Sequence, residues 1–324
     1  MLKRLEKNQY INGILSGDRI VLGRAITLIE STLEQDINLG EEIIETILPY
    51  SGKSLRIGIT GVPGVGKSTF IETLGENIIT EGHKLAVLAI DPTSKSTKGS
   101  ILGDKTRMET LSKNPKAFIR PSPAGNWLGG TGHKTRECVL LCEAAGFDTI
   151  FIETVGVGQS ETMVKEMVDF FLLLMLAGAG DELQGIKKGI MEMANMVVIT
   201  KADSQNEQNS QLAKQEYEAA LHFMKFQENG YLPKVLTCSA LKNTGIYEIW
   251  KEIQNFVGIT KANTFFENTR NTQQLDWLHA IIQHHIVREF YENPTNKAAI
   301  EEQKIGILAS KISVIKAARS ILKN

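Results

Sequence analysis

The sequence predicts an α/β fold, a mostly parallel central sheet with helices on both faces. Three observations carry this. Short β-branched or apolar runs recur at Leu55–Thr60, Leu85–Ile90, Thr149–Glu153, Phe170–Leu176, Met196–Thr200 and Val235–Cys238. Helical stretches separate them, the alternation that builds parallel sheets. The stretch from Phe170 to Ala177 is apolar throughout, as a strand covered on both faces must be. Strand signals are absent before Leu55 and after about residue 258, so the sheet lies between two helical ends. The expected division is an N-terminal helical segment (1–50), a central sheet domain (51–258) and a C-terminal helical arm (259–324).

Each element has its own justification. In the first segment Ile11, Ile14 and Leu15, then Leu22, Ile26 and Ile29, recur at helical spacing and imply two or three short helices. Phe118–Arg120 is a candidate for one more short strand. In the arm, Leu275, Leu278, Ile281 and Ile282 share a helical face that Ile286 and Phe290 continue. A second amphipathic helix is predicted over Ile305 to Leu322. Such a hairpin cannot bury both faces by itself, so it packs on the central domain or on a second chain.

Composition narrows the class. The chain has 324 residues, 42% of them hydrophobic, enough for a sizeable core. The net charge is -1, from 36 basic and 37 acidic residues. That balance lacks the basic excess of a nucleic-acid binder. The three cysteines, Cys138, Cys142 and Cys238, are too few and odd in number for a disulfide scaffold and suit a reducing compartment. Cys138 and Cys142 can share a helix face, which leaves a metal or redox role open beside simple burial. The N-terminus is charged and has no signal-peptide core. The longest apolar run falls far short of the ~20 residues of a membrane-spanning helix. A cytoplasmic protein is expected, without nucleic-acid or membrane partners.

The chemistry starts at Gly61-Val62-Pro63-Gly64-Val65-Gly66-Lys67-Ser68-Thr69. This is G-x-x-x-x-G-K-[ST] between a predicted strand and a predicted helix, the context of a phosphate-binding loop. Glycines let backbone N–H groups turn inward around phosphates, and the helix N-terminus favours negative charge. Lys67 can reach the β- and γ-phosphates, and Ser68 can bind Mg²⁺. The fold is then that of a P-loop NTPase.

Two further segments follow strands. Phe151-Ile152-Glu153-Thr154-Val155-Gly156 places Glu153 where such hydrolases carry an acidic group near the metal, acting directly or through water. The Gly156 N–H is a candidate γ-phosphate sensor. Thr200-Lys201-Ala202-Asp203 is similar to the N-K-x-D guanine motif, with Thr200 in place of Asn. A carboxylate at Asp203 can accept from N1–H and the 2-amino group of guanine. Adenine offers neither, so it leaves the carboxylate poorly paired. Lys201 would lie across the ring, and Ser239-Ala240-Leu241 would support the base. GTP is therefore the expected nucleotide, with GDP the product.

Between these lie Ala89-Ile90-Asp91-Pro92-Thr93-Ser94 and Gly103-Asp104-Lys105-Thr106-Arg107-Met108. Asp91 ends a strand and would face the metal. A turn or helix cap is the simpler alternative for both Asp91 and Asp104. Gly178 to Gly189 is rich in glycine and charge, which suggests a mobile loop. Gln159 fits either a water-positioning role or a structural one.

The set GVPGVGKST, AIDPTS, GDKTRM, FIRPSP, ETVGVGQSE, GAGDELQGIKKGI and KAD, in this order, resembles the MeaB/ArgK family of P-loop GTPases. The match is dense from about 55 to 205. Thr200 and Ala177 depart from the family's usual Asn and Pro. The resemblance implies a GTPase that acts as a chaperone for an adenosylcobalamin-dependent acyl-CoA mutase, chiefly methylmalonyl-CoA mutase, and a homodimer formed through the arm. It implies that Lys67, Asp91, Asp104, Glu153 and Lys187 form the catalytic set. Ser68, Asp91, Asp104 and Glu153 would surround Mg²⁺, and Asp181 and Lys187 would lie in a partner-responsive loop. Two other functions stay open: nickel delivery, which calls for His-rich or paired Cys/His ligands, and ATP-dependent phosphoryl transfer tied to cationic amino-acid transport.

Overall fold

The computed structural model describes residues 4–91, 108–123, 131–154, 160–178, 188–223 and 229–322. The sheet has seven strands, all parallel: β1 (Leu55–Gly61), β2 (Leu85–Asp91), β3 (Ala117–Pro123), β4 (Thr149–Thr154), β5 (Phe170–Leu176), β6 (Met196–Thr200) and β7 (Lys234–Thr237). Their spatial order is β3-β2-β4-β1-β5-β6-β7. Each predicted strand is present. The short candidate at 118–120 is the centre of β3, paired along its length with β2.

Strand residues alternate between two cores. Phe151, Phe170, Leu172 and Leu174 enter one, and Ile150, Ile152, Phe171, Leu173 and Met175 enter the other. Both faces are apolar because both are covered, which explains the unbroken hydrophobic run of β5. The first core is closed by α4 (Lys67–Thr80) and α10 (Ile246–Ala262). The second is closed by α6 (Thr131–Ala144), α7 (Ser160–Lys165), α9 (Glu207–His222) and the N-terminal helices α1 (Lys7–Leu15), α2 (Arg19–Ile29) and α3 (Glu34–Ile47). The shorter α5 (Glu109–Lys113) and α8 (Lys188–Met193) lead into β3 and β6.

One sequence expectation is corrected here. The helix predicted over Ile305 to Leu322 is two helices, α12 (Pro294–Leu308) and α13 (Val314–Ile321). Ser310 at φ 55° breaks the path, and the Ser313 hydroxyl oxygen caps the second helix by accepting from Lys316 N–H. Local polar side chains of this kind compete with helix propagation. The helical register therefore starts afresh, and α12 itself begins earlier, at Pro294 behind the Asn293 cap. Position 258 lies within α10. The long α11 (Phe265–Glu292) follows directly after it.

Cys138 and Cys142 are buried in the second core. Burial pushes both thiols above their ordinary range, as expected for cysteines that pack in a core. Among the described residues no helix is long and apolar enough to cross a membrane.

Candidate functional site

β1 lies between β4 and β5, and the chain changes side of the sheet there, from β4 over β1 to β5. Ligands of open parallel sheets bind outside the carboxyl ends of strands at such a switch point. The loop that leaves β1 at Gly61 is the predicted phosphate loop. It reaches α4 through Gly66 at φ 90°, a left-handed backbone that only glycine adopts without strain. Val65 N–H closes a tight turn onto Val62 O at 3.2 Å. α4 then begins at Lys67 and carries Ser68 and Thr69 in its first turn, where backbone N–H groups have no intrahelical partner.

The Lys67 ammonium donates to Gly61 O at 2.8 Å. Desolvation lowers its pKa below the ordinary lysine range, and the charges of Glu153 and Glu161 pull it back up. Both carboxylates are buried, at 4% and 1% exposure. Glu153 sits on β4 in register with Ile59 of β1 and Ala89 of β2, at the sheet end where the phosphate loop begins. Beside it the Thr154 hydroxyl donates to Thr60 Oγ1 at 2.8 Å and ties the ends of β4 and β1 together. Of Asp91 the structure describes the backbone, which ends β2 at the same side of the sheet. Asp104, Gly156, Gln159, Asp181 and Lys187 lie outside the described residues.

The second half of the site is tied to the first by two consecutive side chains. The buried Thr200 hydroxyl donates to Val65 O at 2.7 Å, and the Lys201 ammonium donates to Gly64 O at 2.8 Å. Lys201 itself is left-handed at φ 57°, a conformation that costs energy for a residue with a side chain. Asn206 Nδ2 helps hold it by donating to Lys201 O at 2.9 Å. One turn on, the Ser239 hydroxyl donates a short hydrogen bond to Asp203 Oδ2. Lys242 N–H donates to that hydroxyl oxygen at 3.2 Å. The Thr73 hydroxyl of α4 reaches Ala240 O at 3.1 Å. Leu241 is exposed at the rim. A half-buried carboxylate braced on one oxygen, next in the chain to residues tied to the phosphate loop, suits a planar base that offers adjacent N–H donors.

Sequence reasoning missed Glu161 as a member of this cluster. The signal was available: it is an acidic residue in the first turn of the helix that follows the Glu153 loop. Its proximity to Lys67 depends on how that helix packs.

The family model described as methylmalonyl Co-A mutase-associated GTPase MeaB matches residues 22–295. The chain belongs to the MeaB family of GTPases. It is 45% identical over 293 residues to the GTPase ArgK of Escherichia coli (strain K12), which covers 90% of this chain and 88% of that one. It is 41% identical over 326 residues to the mitochondrial methylmalonic aciduria type A homolog of Mus musculus, covering 98% of this chain and 79% of that one. A crystal structure described as a LAO/AO transport system kinase matches with a TM-score of 0.80 at 36% identity, over 100% of this chain and 98% of that one. The MeaB-family match thus extends on both sides beyond the stretch where the motifs are dense.

Proposed function

We propose that this chain binds GTP, hydrolyses it with Mg²⁺, and serves as a chaperone for an adenosylcobalamin-dependent acyl-CoA mutase. The observation that carries the nucleotide reading is the Ser239-braced Asp203 joined to the phosphate loop through Thr200 and Lys201. Asp203 accepts from guanine N1–H and the 2-amino group. Lys201 covers the ring, and the segment Ser239, Ala240, Leu241 backs it. Backbone N–H groups from Gly61 to Thr69 cradle the phosphates, and the Lys67 ammonium moves from Gly61 O to the β- and γ-phosphate oxygens. A partly desolvated positive group stabilises charge that develops on the transferred phosphoryl, and in-line attack by water completes the reaction.

Ser68 and Glu153 offer the hard oxygen donors that suit Mg²⁺, with Asp91 and Asp104 assigned beside them. The ion, when bound, supplies charge neutralisation at the phosphates. Lys187 and Asp181 belong to the loop that answers a partner. The mutase reading is supported by the family description and by the methylmalonic aciduria homologs. Pairing of two chains through the arm is supported by the apolar residues it leaves exposed, among them Leu278, Ile282 and Ile286. The proposed compartment is the cytoplasm.

Asp203→Asn tests the carrying observation. The amide suits a carbonyl where guanine has its amine, so the variant should lose GTP and gain xanthosine triphosphate in equilibrium binding. Unchanged preference for GTP would remove Asp203 from the base site. The transport-kinase description of one solved relative motivates a single second reading, ATP-dependent phosphoryl transfer. Tighter binding of ATP than GTP by the unmodified chain would favour it.

A further inference from the structure

The crossover from β4 to β5 touches three separate parts of the molecule. The first turn of its helix α7 carries Glu161, a buried carboxylate three residues before Val164 whose charge raises the Lys67 pKa. Its middle lies directly on β1. A Cβ at Gly58 would stand 2.8 Å from Val164 Cγ1 and 3.1 Å from Val168 Cγ2, so only glycine lets the crossover lie this close. Its last residues, at the opposite end of the sheet, are gripped from α6 and α11. Arg136 Nη2 donates to Glu166 O at 2.9 Å, and Arg136 Nη1 donates to Gln273 O at 2.6 Å. Gln273 Nε2 donates to Val168 O at 2.9 Å. Next to them Arg270 makes a fork onto both oxygens of Asp169 at 2.7 Å. The Trp277 ring lies under Arg136, 5.7 Å from centroid to guanidinium carbon.

A segment gripped at one end and packed on β1 at its middle couples the two. We propose that Arg136 and Gln273 are positioning residues for GTP hydrolysis. By holding the Glu166 and Val168 carbonyls they set where the crossover rests on Gly58, and so where Glu161 stands beside Lys67. The phosphate site is thereby adjusted from the arm helix α11, at the far end of the sheet. In the reverse direction, a phosphate-dependent movement of Glu161 reaches α11 through the same carbonyls. This rests on the GTPase reading above.

The test uses the full chain and Gln273→Glu, which keeps the side-chain shape but cannot donate to Val168 O. Arg136→Lys is the second variant; it keeps the charge and loses the two-carbonyl fork. Single-turnover GTP hydrolysis should fall about fivefold, the rate equivalent of one neutral hydrogen bond. Affinity for GDP should stay within about twofold of the unmodified chain. Hydrogen exchange gives a readout that a purely structural role would not move. Exchange over 265–277 should differ between GDP and a non-hydrolysable GTP analogue in the unmodified chain, and that difference should vanish in Gln273→Glu. Hydrolysis unchanged in both variants would overturn the proposal, as would parallel loss of GDP affinity, hydrolysis and melting temperature. An unmodified chain that binds no GTP would overturn the GTPase reading and this one together. A competent chain with indifferent variants overturns this one alone.

Discussion

The two helical ends of this chain flank one sheet and are attached to it by opposite physics. At the N-terminal end, Ile14, Leu22, Ile26, Ile43 and Ile47 are fully or almost fully buried in the same apolar core as Leu88, Ile150 and Ile152 of the sheet. At the C-terminal end, α11 is docked by polar groups: Arg270 joins Asp169, Gly52 O and Ser54 O, and Gln273 joins Val168 O. Past that point α11 turns Leu278, Ile282 and Ile286 outward at 51%, 45% and 61% exposure. The N-terminal helices are thus part of the sheet domain's own interior. The C-terminal helices are fastened through Arg270, Gln273 and Arg136 near the start of α11, and beyond that point leave apolar side chains exposed. Hydrophobic attachment is diffuse and tolerant of small shifts; hydrogen-bonded attachment is directional and fixes register.

The largest effect is expected where the directional attachment is broken. Arg270→Ala leaves the Asp169 carboxylate at 2% side-chain exposure without its cation, and breaking a buried pair on one side costs about 3 to 5 kcal/mol. Urea unfolding of the full chain should register it. A loss below about 1 kcal/mol would mean that the fork is decorative, since exposed pairs contribute no more than that. Leu22→Ala should come next. The leucine is at 0% exposure, and deleting buried methyl groups of this size costs about 3 kcal/mol. If the sheet domain instead unfolds at an unchanged denaturant concentration, α1 to α3 are an appendage and the contrast between the ends fails.

Much of this architecture was legible in the sequence because its signals are local. Strand runs such as Phe170–Leu176 are continuous, and the Gly61–Thr69 and Thr200–Asp203 segments carry their chemistry within a few residues. The break at Ser310–Ser313 was less legible, since the apolar residues on either side look like one stripe until the cap interrupts it. Glu161 was present in a motif, but its approach to Lys67 depends on the crossover resting on Gly58. The Arg270–Asp169 fork joins residues far apart in the chain, and no periodicity or composition announces a pairing of that kind. Residues whose roles depend on tertiary contact escape a linear reading in proportion to that dependence.

The smallest effect on folding should come from the outward face of the arm, and it is the most informative about function. Leu278 is half exposed in the single chain, so Leu278→Asp removes no core contact. Surface changes of this kind stay within about 0.5 kcal/mol. The charge nevertheless lands in the middle of an apolar stripe that a second copy of the chain would cover, where an unpaired carboxylate is costly to desolvate. Sedimentation should therefore show the unmodified chain as a pair and the variant as a single chain, with the unfolding midpoint at matched low concentration unchanged. Nucleotide binding should also persist, because Lys67 and Asp203 lie at the other end of the sheet. A variant that stays paired would remove Leu278 from the contact. A variant that separates and also loses stability would show that the arm's apolar side is needed by its own chain, and the two ends of the molecule would then be alike after all.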